Sequence, residues 1–242
     1  MRRAELIFLT HHKCASTMLH GWVAELCRIN GLSFFTSHRG DHGPSLGHDV
    51  SLLTNAVFAS VANRLGQGPA VHIIRNPLSI VVSAYHSHLK THDDAGWPEL
   101  TAQRDVLRGV GQAEGMMRTI AFCEDPAFYA ATPGPLAQLA AWDFDDPRIA
   151  TVRMEDFGDD PAAMLRPALG DTARALEMPD AASFAFSALS GGRGQGEVND
   201  SSHYRSGDPD AWRRELPLAA RDQLRTRYRA LIERFYPEAL SD

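Results

Sequence analysis

Short apolar runs along the chain alternate with stretches whose apolar residues recur at helical spacing. Leu6-Ile7-Phe8-Leu9, between Glu5 and Thr10, reads as a buried strand, and from Met18 to Ile29 the residues Leu19, Val23, Leu26 and Cys27 share one helix face. The same order returns at Ala70-Val71-His72-Ile73-Ile74, where a second buried run is followed by a helical stretch from Leu78 to Leu89. Strands are predicted at about 5–10, 33–37, 70–75 and 149–154, and helices at 17–29, 78–89 and an amphipathic 217–235. Continuously apolar strands alternating with helices define an α/β chain, three-layered around a central parallel sheet. With 242 residues and no Pro/Gly/Ser-rich linker, a single domain over 1–242 is expected.

Two strand–turn–helix junctions carry the candidate chemistry. The first, His11-His12-Lys13-Cys14-Ala15-Ser16-Thr17, holds one of only two lysines, Lys13 and Lys90. The first N–H groups of a helix lack intrahelical partners and its dipole is positive there, so an anion fits such a junction. Lys13 adds a point charge, and Ser16 and Thr17 add two hydroxyl donors, although either hydroxyl also suits a plain helix cap. The loop departs from G-x-x-x-x-G-K-[ST]: it has no glycine, and Lys13 precedes Ser16-Thr17 by two residues. An ordinary ATPase or GTPase is thereby disfavoured. At the second junction Asn76 can cap and Pro77 can open a helix, which leaves Arg75 at the carboxyl end of a strand, where open α/β sheets bind ligands. Ser83 follows two turns later; a surface arginine and a small packing residue are the plainer alternative for this pair.

A formal charge of −6 and a pI near 6 give no general attraction to nucleic acid or anionic lipid, so small-molecule partners are expected. Cysteines at only 14, 27 and 123 fit neither a disulfide framework nor a Cys-rich zinc site. Met1-Arg2-Arg3 leads into a short apolar run without signal-peptide character, and no run of about twenty apolar residues is present, so a cytoplasmic protein is expected. The glycines of Ser190–Gly196 suit a flexible loop or lid.

Together, Lys13-Cys14-Ala15-Ser16-Thr17 and Arg75-Asn76-Pro77 followed by Ser83 resemble the two nucleotide signatures of the sulfotransferases. These are P-K-x-G-[ST]-T, and R-[ND]-P with a serine eight residues after the arginine. Thr151-Val152-Arg153-Met154-Glu155-Asp156-Phe157 is similar to the strand and acidic turn before the family's C-terminal half, and His203-Tyr204-Arg205-Ser206-Gly207-Asp208 to its R-K-G-x-x-G-D-W segment. The resemblance runs in order from residue 5 to about 236. It implies a P-loop-like sulfotransferase fold and transfer of a sulfuryl group from 3′-phosphoadenosine-5′-phosphosulfate (PAPS) to a hydroxyl or amine of a small-molecule or carbohydrate acceptor, with PAP as product. It further implies that Lys13 is catalytic at the departing 5′-phosphate, that Cys14, Ala15, Ser16 and Thr17 hold that phosphate, and that Arg75, Ser83, Arg205, Ser206 and Gly207 hold the 3′-phosphate. His12, Ala15 and Ser206 depart from the family's proline, glycine and lysine. Met18 and Met154 stand where many relatives place aromatic residues around adenine.

The family's cytosolic members draw a histidine base from a loop after an internal strand, about twenty residues before R-N-P. His48, with Asp49 beside it, is the nearest equivalent, and His38 is second; some relatives use a glutamate. His86, His88 and His92 either line the acceptor pocket or decorate a solvated helix end. Neither His38/His42/His48 nor His86/His88/His92 forms a ligand motif such as H-E-x-x-H, so no metal is expected. An atypical P-loop kinase and a non-catalytic nucleotide-binding protein of the same fold are the alternatives.

Overall fold

The computed structural model describes residues 5–45, 47–66 and 68–241; Met1-Arg2-Arg3, read above for targeting, lie outside the described residues. Five strands, β1 (Leu6–Leu9), β2 (Phe34–Ser37), β3 (Val50–Leu53), β4 (Ala70–Ile74) and β5 (Ile149–Arg153), form one parallel sheet in the order β2-β3-β1-β4-β5. The helices, in chain order, are α1 (Ser16–Asn30), α2 (Phe58–Ala62), α3 (Pro77–His86), α4 (Pro98–Arg108), α5 (Gln112–Cys123), α6 (Pro135–Ala140), α7 (Pro161–Leu169), α8 (Phe186–Leu189), α9 (Trp212–Glu215), α10 (Leu218–Arg227) and α11 (Arg229–Phe235).

The two-residue period of the strands divides the core. Leu6 and Phe8 of β1, Val50 and Leu52 of β3 and Val71 and Ile73 of β4 pack with Leu19, Trp22, Val23 and Leu26 of α1 and with Leu165 and Leu169 of α7. Ile7, Leu9, Leu53 and Ala70 point to the opposite face, where Trp142 and Ile149 join them. Ile74 on that face meets the cluster built by α3, α5, α6 and the C-terminal helices. With apolar cover on both faces, β1 reads as an unbroken apolar run and β4 as one interrupted only by His72.

Three sequence expectations change. Strand β3 was not predicted: it is four residues long and carries Ser51, whose buried hydroxyl donates to Glu5 Oε1 at 3.0 Å and accepts from the Ser45 N–H at 3.0 Å. The predicted helix 217–235 is two helices, because Tyr228 (φ −107°, ψ 24°) leaves helical geometry and donates its phenol to Glu124 Oε1 at 2.7 Å. The predicted helix 78–89 is α-helical only to His86 and continues as a π-turn over Ser87–Thr91.

Two imidazoles are buried between the sheet and its helices. His11 Nε2 lies 2.7 Å from His72 Nε2 and His11 Nδ1 2.6 Å from Gln138 Oε1, while His72 stacks on Trp142 with centroids 3.8 Å apart. Burial lowers His11 to about 4 and holds His72 well below its ordinary value. A depressed folded-state value means that folding requires the neutral ring, so the stability is present above the unfolded value and is lost as pH falls. Between pH 7 and pH 4, urea unfolding of the wild-type protein is therefore expected to lose about 3 kcal/mol more than that of His11→Gln, from His11 alone.

Candidate functional site

Parallel strands deliver the loops after β1, β4 and β5 to the same edge of the sheet, where a cavity of about 360 Å³ opens. Its wall includes Lys13, Ala15, Ser16, Thr17 and Met18 from the first junction, Arg75 and Ser83 from the second, Met154 and Glu155 after β5, and Arg205, Ser206 and Gly207 from the C-terminal segment. All but Glu155 are expected positions, and four separate stretches of chain bring them to one cavity.

The turn between β1 and α1 is tight. Lys13 and Ala15 both take left-handed backbone (φ 66° and 61°), Cys14 N–H donates to His11 O at 3.0 Å, and Thr10 Oγ1 donates to Cys14 O at 2.6 Å. Left-handed geometry suits glycine and is strained for residues with a Cβ. Ala15→Gly is accordingly expected to stabilise the protein by about 0.5–1 kcal/mol in urea unfolding, the strain relieved exceeding the added freedom of the unfolded chain. Ala15 is also the N-cap of α1 and supplies no side-chain cap, so the free N–H groups of the first turn face the cavity wall made by Ser16, Thr17 and Met18. Cys14 departs from its expected place in the phosphate loop: its side chain is buried in the core, its N–H is used within the turn, and burial pushes its thiol up to about 12.

Lys13 sits half-buried in this turn, and burial first, then the neighbouring Arg75 charge, lowers it to about 7. Arg75 donates from Nη1 to Lys13 O at 2.9 Å, which joins the two junctions directly. Behind it, Asn76 Oδ1 accepts from Leu78 N–H at 3.0 Å and caps α3, while Asn76 N–H donates to Glu155 Oε1 at 2.9 Å. Burial raises the Glu155 carboxyl and the Arg75 charge opposes that rise.

The C-terminal segment is not the loose flap that its glycines suggested. The Arg193 guanidinium donates to Ser190 O, Glu197 O, Arg205 O, Ser202 Oγ and Tyr204 O and lies over the Phe186 ring. Gly207 (φ 63°) passes so close to Phe186 that a Cβ would stand 2.5 Å from the ring, so this position needs glycine. Arg205, expected on a phosphate, is held by Asp200 at 2.8 Å and by both oxygens of Glu215 at 2.9 and 3.0 Å; Lys90 shares Asp200, and His86 Nε2 lies 2.6 Å from Glu215. Arg205 thus reaches the expected cavity with its guanidinium paired inside the protein.

Neither expected base reaches the cavity. His48 precedes β3 and lies at the amino end of the sheet, with Nδ1 2.8 Å from Ser45 Oγ and its ring against Phe35. The cavity is at the opposite, carboxyl end. His38 follows β2, two strands from β1, and its Nδ1 lies 2.5 Å from Thr54 Oγ1. The loop after the internal strand β3 is Thr54-Asn55-Ala56-Val57, which holds no histidine, and the residue twenty before Arg75 is Asn55. The imidazoles that do line the cavity are His12, His86, His92 and His203. Phe184 and Phe186 also line it, and their alternation in Phe184-Ala185-Phe186 was a signal available in the sequence. Among the described residues, no group of three or more His, Cys, Asp or Glu is placed to hold a metal ion. No helix among them is long and apolar enough to cross a membrane.

The chain is thus a parallel α/β sheet with helices on both faces and an anion-suited turn at the end of its central strand, β1. In solved structures this fold is found in mouse sulfotransferase SULT7A1, determined in complex with PAP, with a TM-score of 0.57 and 14% sequence identity over 94% of this chain and 85% of that one. No family model and no curated protein sequence matches the chain.

Proposed function

We propose that the protein is a PAPS-dependent sulfotransferase. The observation that carries this reading is the convergence of Lys13, Arg75 and Ser83 on one cavity, with Arg75 bonded to the Lys13 carbonyl. Two cations and the start of a helix at one sheet edge suit a ligand with two separate phosphate groups, whereas a Walker loop with its own glycines and adjoining lysine is absent.

In this reading the free N–H groups and the hydroxyls of Ser16 and Thr17 hold the 5′-phosphate of the donor, and Arg75 and Ser83 hold its 3′-phosphate. Met18, Met154, Phe184 and Phe186 provide the apolar surface for adenine. Sulfuryl transfer asks for in-line placement and for positive charge where the leaving group becomes more anionic. Lys13 meets the second need: a cation already stripped of much of its water, and pressed by Arg75, regains its full charge against the leaving phosphate. Arg205 shapes the cavity wall, its charge being satisfied by Asp200 and Glu215.

Sulfur-35-labelled PAPS incubated with the protein and a set of phenols, alcohols, sugars and amines tests the reading. Labelled product with matching release of PAP is the expected result. PAP binding without any transfer, including transfer to water, would instead identify a nucleotide-binding protein that lacks turnover.

A further inference from the structure

We infer that His92 takes the proton from the acceptor hydroxyl, an assignment that rests on the sulfotransferase reading above. His92 closes the π-turn Ser87–Thr91, where its N–H donates to Ser87 O at 2.8 Å across five residues. An extra residue in a helical turn rotates everything after it by about 100°, and such turns are frequent at functional sites. Here the turn keeps His88 in the core and puts His92 on the cavity wall.

The ring is prepared for this work. His92 Nδ1 lies 2.8 Å from the Asp93 carbonyl oxygen, which can only accept, so Nδ1 carries the proton and Nε2 presents its lone pair. The ring's hydrogen bond among the described residues is that of Nδ1 to Asp93, and Nε2 lies on the cavity side. The backbone beneath is fixed by buried Arg104 of α4, which donates to His88 O at 2.7 Å, to His92 O, and to Asp94 Oδ2 at 2.5 Å. The other cavity imidazoles lack this combination. His12 Nε2 is bonded to buried His88 at 2.9 Å, His86 Nε2 is bonded to Glu215, and His203 has no bond that orients its ring.

The charged and titratable groups facing His92 are Lys13 on the β1–α1 turn, Arg104 on α4, Asp93 beside it, and the His12, His88 and His203 rings. Burial, with Lys13 and Arg104, lowers His92 below its ordinary value, while the Asp93 contacts work against this. The ring is therefore neutral at pH 7 and able to accept a proton. In the transfer step the acceptor proton passes to Nε2 and the oxygen's electron pair forms the new O–S bond. The bond from sulfur to the bridging oxygen breaks, and its electron pair leaves on PAP beside Lys13. The imidazolium then releases its proton to solvent.

The test compares wild-type protein, His92→Gln, His92→Ala and, as a control away from the cavity, His48→Gln. Each is measured for PAP binding and for transfer from labelled PAPS to 2-naphthol, to glucose and to water. His92→Gln is expected to lower kcat on the acceptor that wild type uses by at least about 100-fold, to keep the Kd for PAP within about threefold, and to lose the acidic limb of the kcat profile below pH 6.5. His92→Ala behaves alike, and His48→Gln retains wild-type turnover. Variants within threefold of wild type with the acidic limb intact overturn the assignment. A wild-type protein that binds PAP and transfers to none of the three acceptors also counts against His92 while leaving the nucleotide site standing; failure to bind PAP overturns the reading on which the assignment rests.

Discussion

Replacing Lys13 by methionine is expected to slow sulfuryl transfer by about 100- to 1000-fold, the loss typical of removing one preorganised group that faces developing charge. Methionine keeps the length of the stem and removes the ammonium. Within the protein's own surroundings the ammonium is disfavoured, since burial and Arg75 bring it down to about 7. A lysine whose folded value lies below its unfolded value costs stability while protonated, and that cost disappears as pH rises past the unfolded value. Lys13→Met should consequently unfold at a higher urea concentration than wild type at pH 7 while turning over far more slowly. That opposition separates lost chemistry from lost folding: a variant that is both slower and less stable would point to a structural lysine.

Replacing Arg75 by alanine is expected to weaken PAP by about 30- to 100-fold, within the range for charge-assisted hydrogen bonds to a partly buried phosphate. Adenosine 5′-phosphate, which lacks the 3′-phosphate, should weaken by less than about threefold, the residue of a loosened turn after loss of the bond to Lys13 O. Arg75→Lys keeps the charge and loses the fork, so it should fall between wild type and alanine. Calorimetric titration of both nucleotides reads the difference. Equal losses for the two would make Arg75 a support of the Lys13 turn rather than a phosphate ligand.

The parts of this molecule that follow from local pattern were legible in its sequence. Leu6–Leu9 is apolar throughout and Ala70–Ile74 apolar but for His72 because the sheet is covered on both faces, and Asn76-Pro77 states a helix start in two residues. What depends on partners far along the chain was not legible. Val50–Leu53 is too short, with Ser51 inside it, to announce a strand, and the expected base, His48, lies before it at the wrong end of the sheet. Ser190–Gly196 reads as flexible until Arg193 is seen gathering the carbonyls around it, and the partners of Arg205, Asp200 and Glu215, are not visible in the Arg205-Ser206-Gly207 motif. Nothing in helical periodicity marks the π-turn that puts His92 on the cavity wall, since the turn is held by Arg104, itself one helix away.

The pairing of Lys13 with Arg75 across one cavity is tested most directly by calorimetry with PAP and with ATP plus Mg²⁺ at pH 8. PAP is expected to bind without magnesium and to take up roughly one proton as Lys13 recharges, an uptake that Lys13→Met abolishes. Tight, magnesium-dependent binding of ATP with none of PAP would contradict the sulfotransferase reading and favour an atypical kinase.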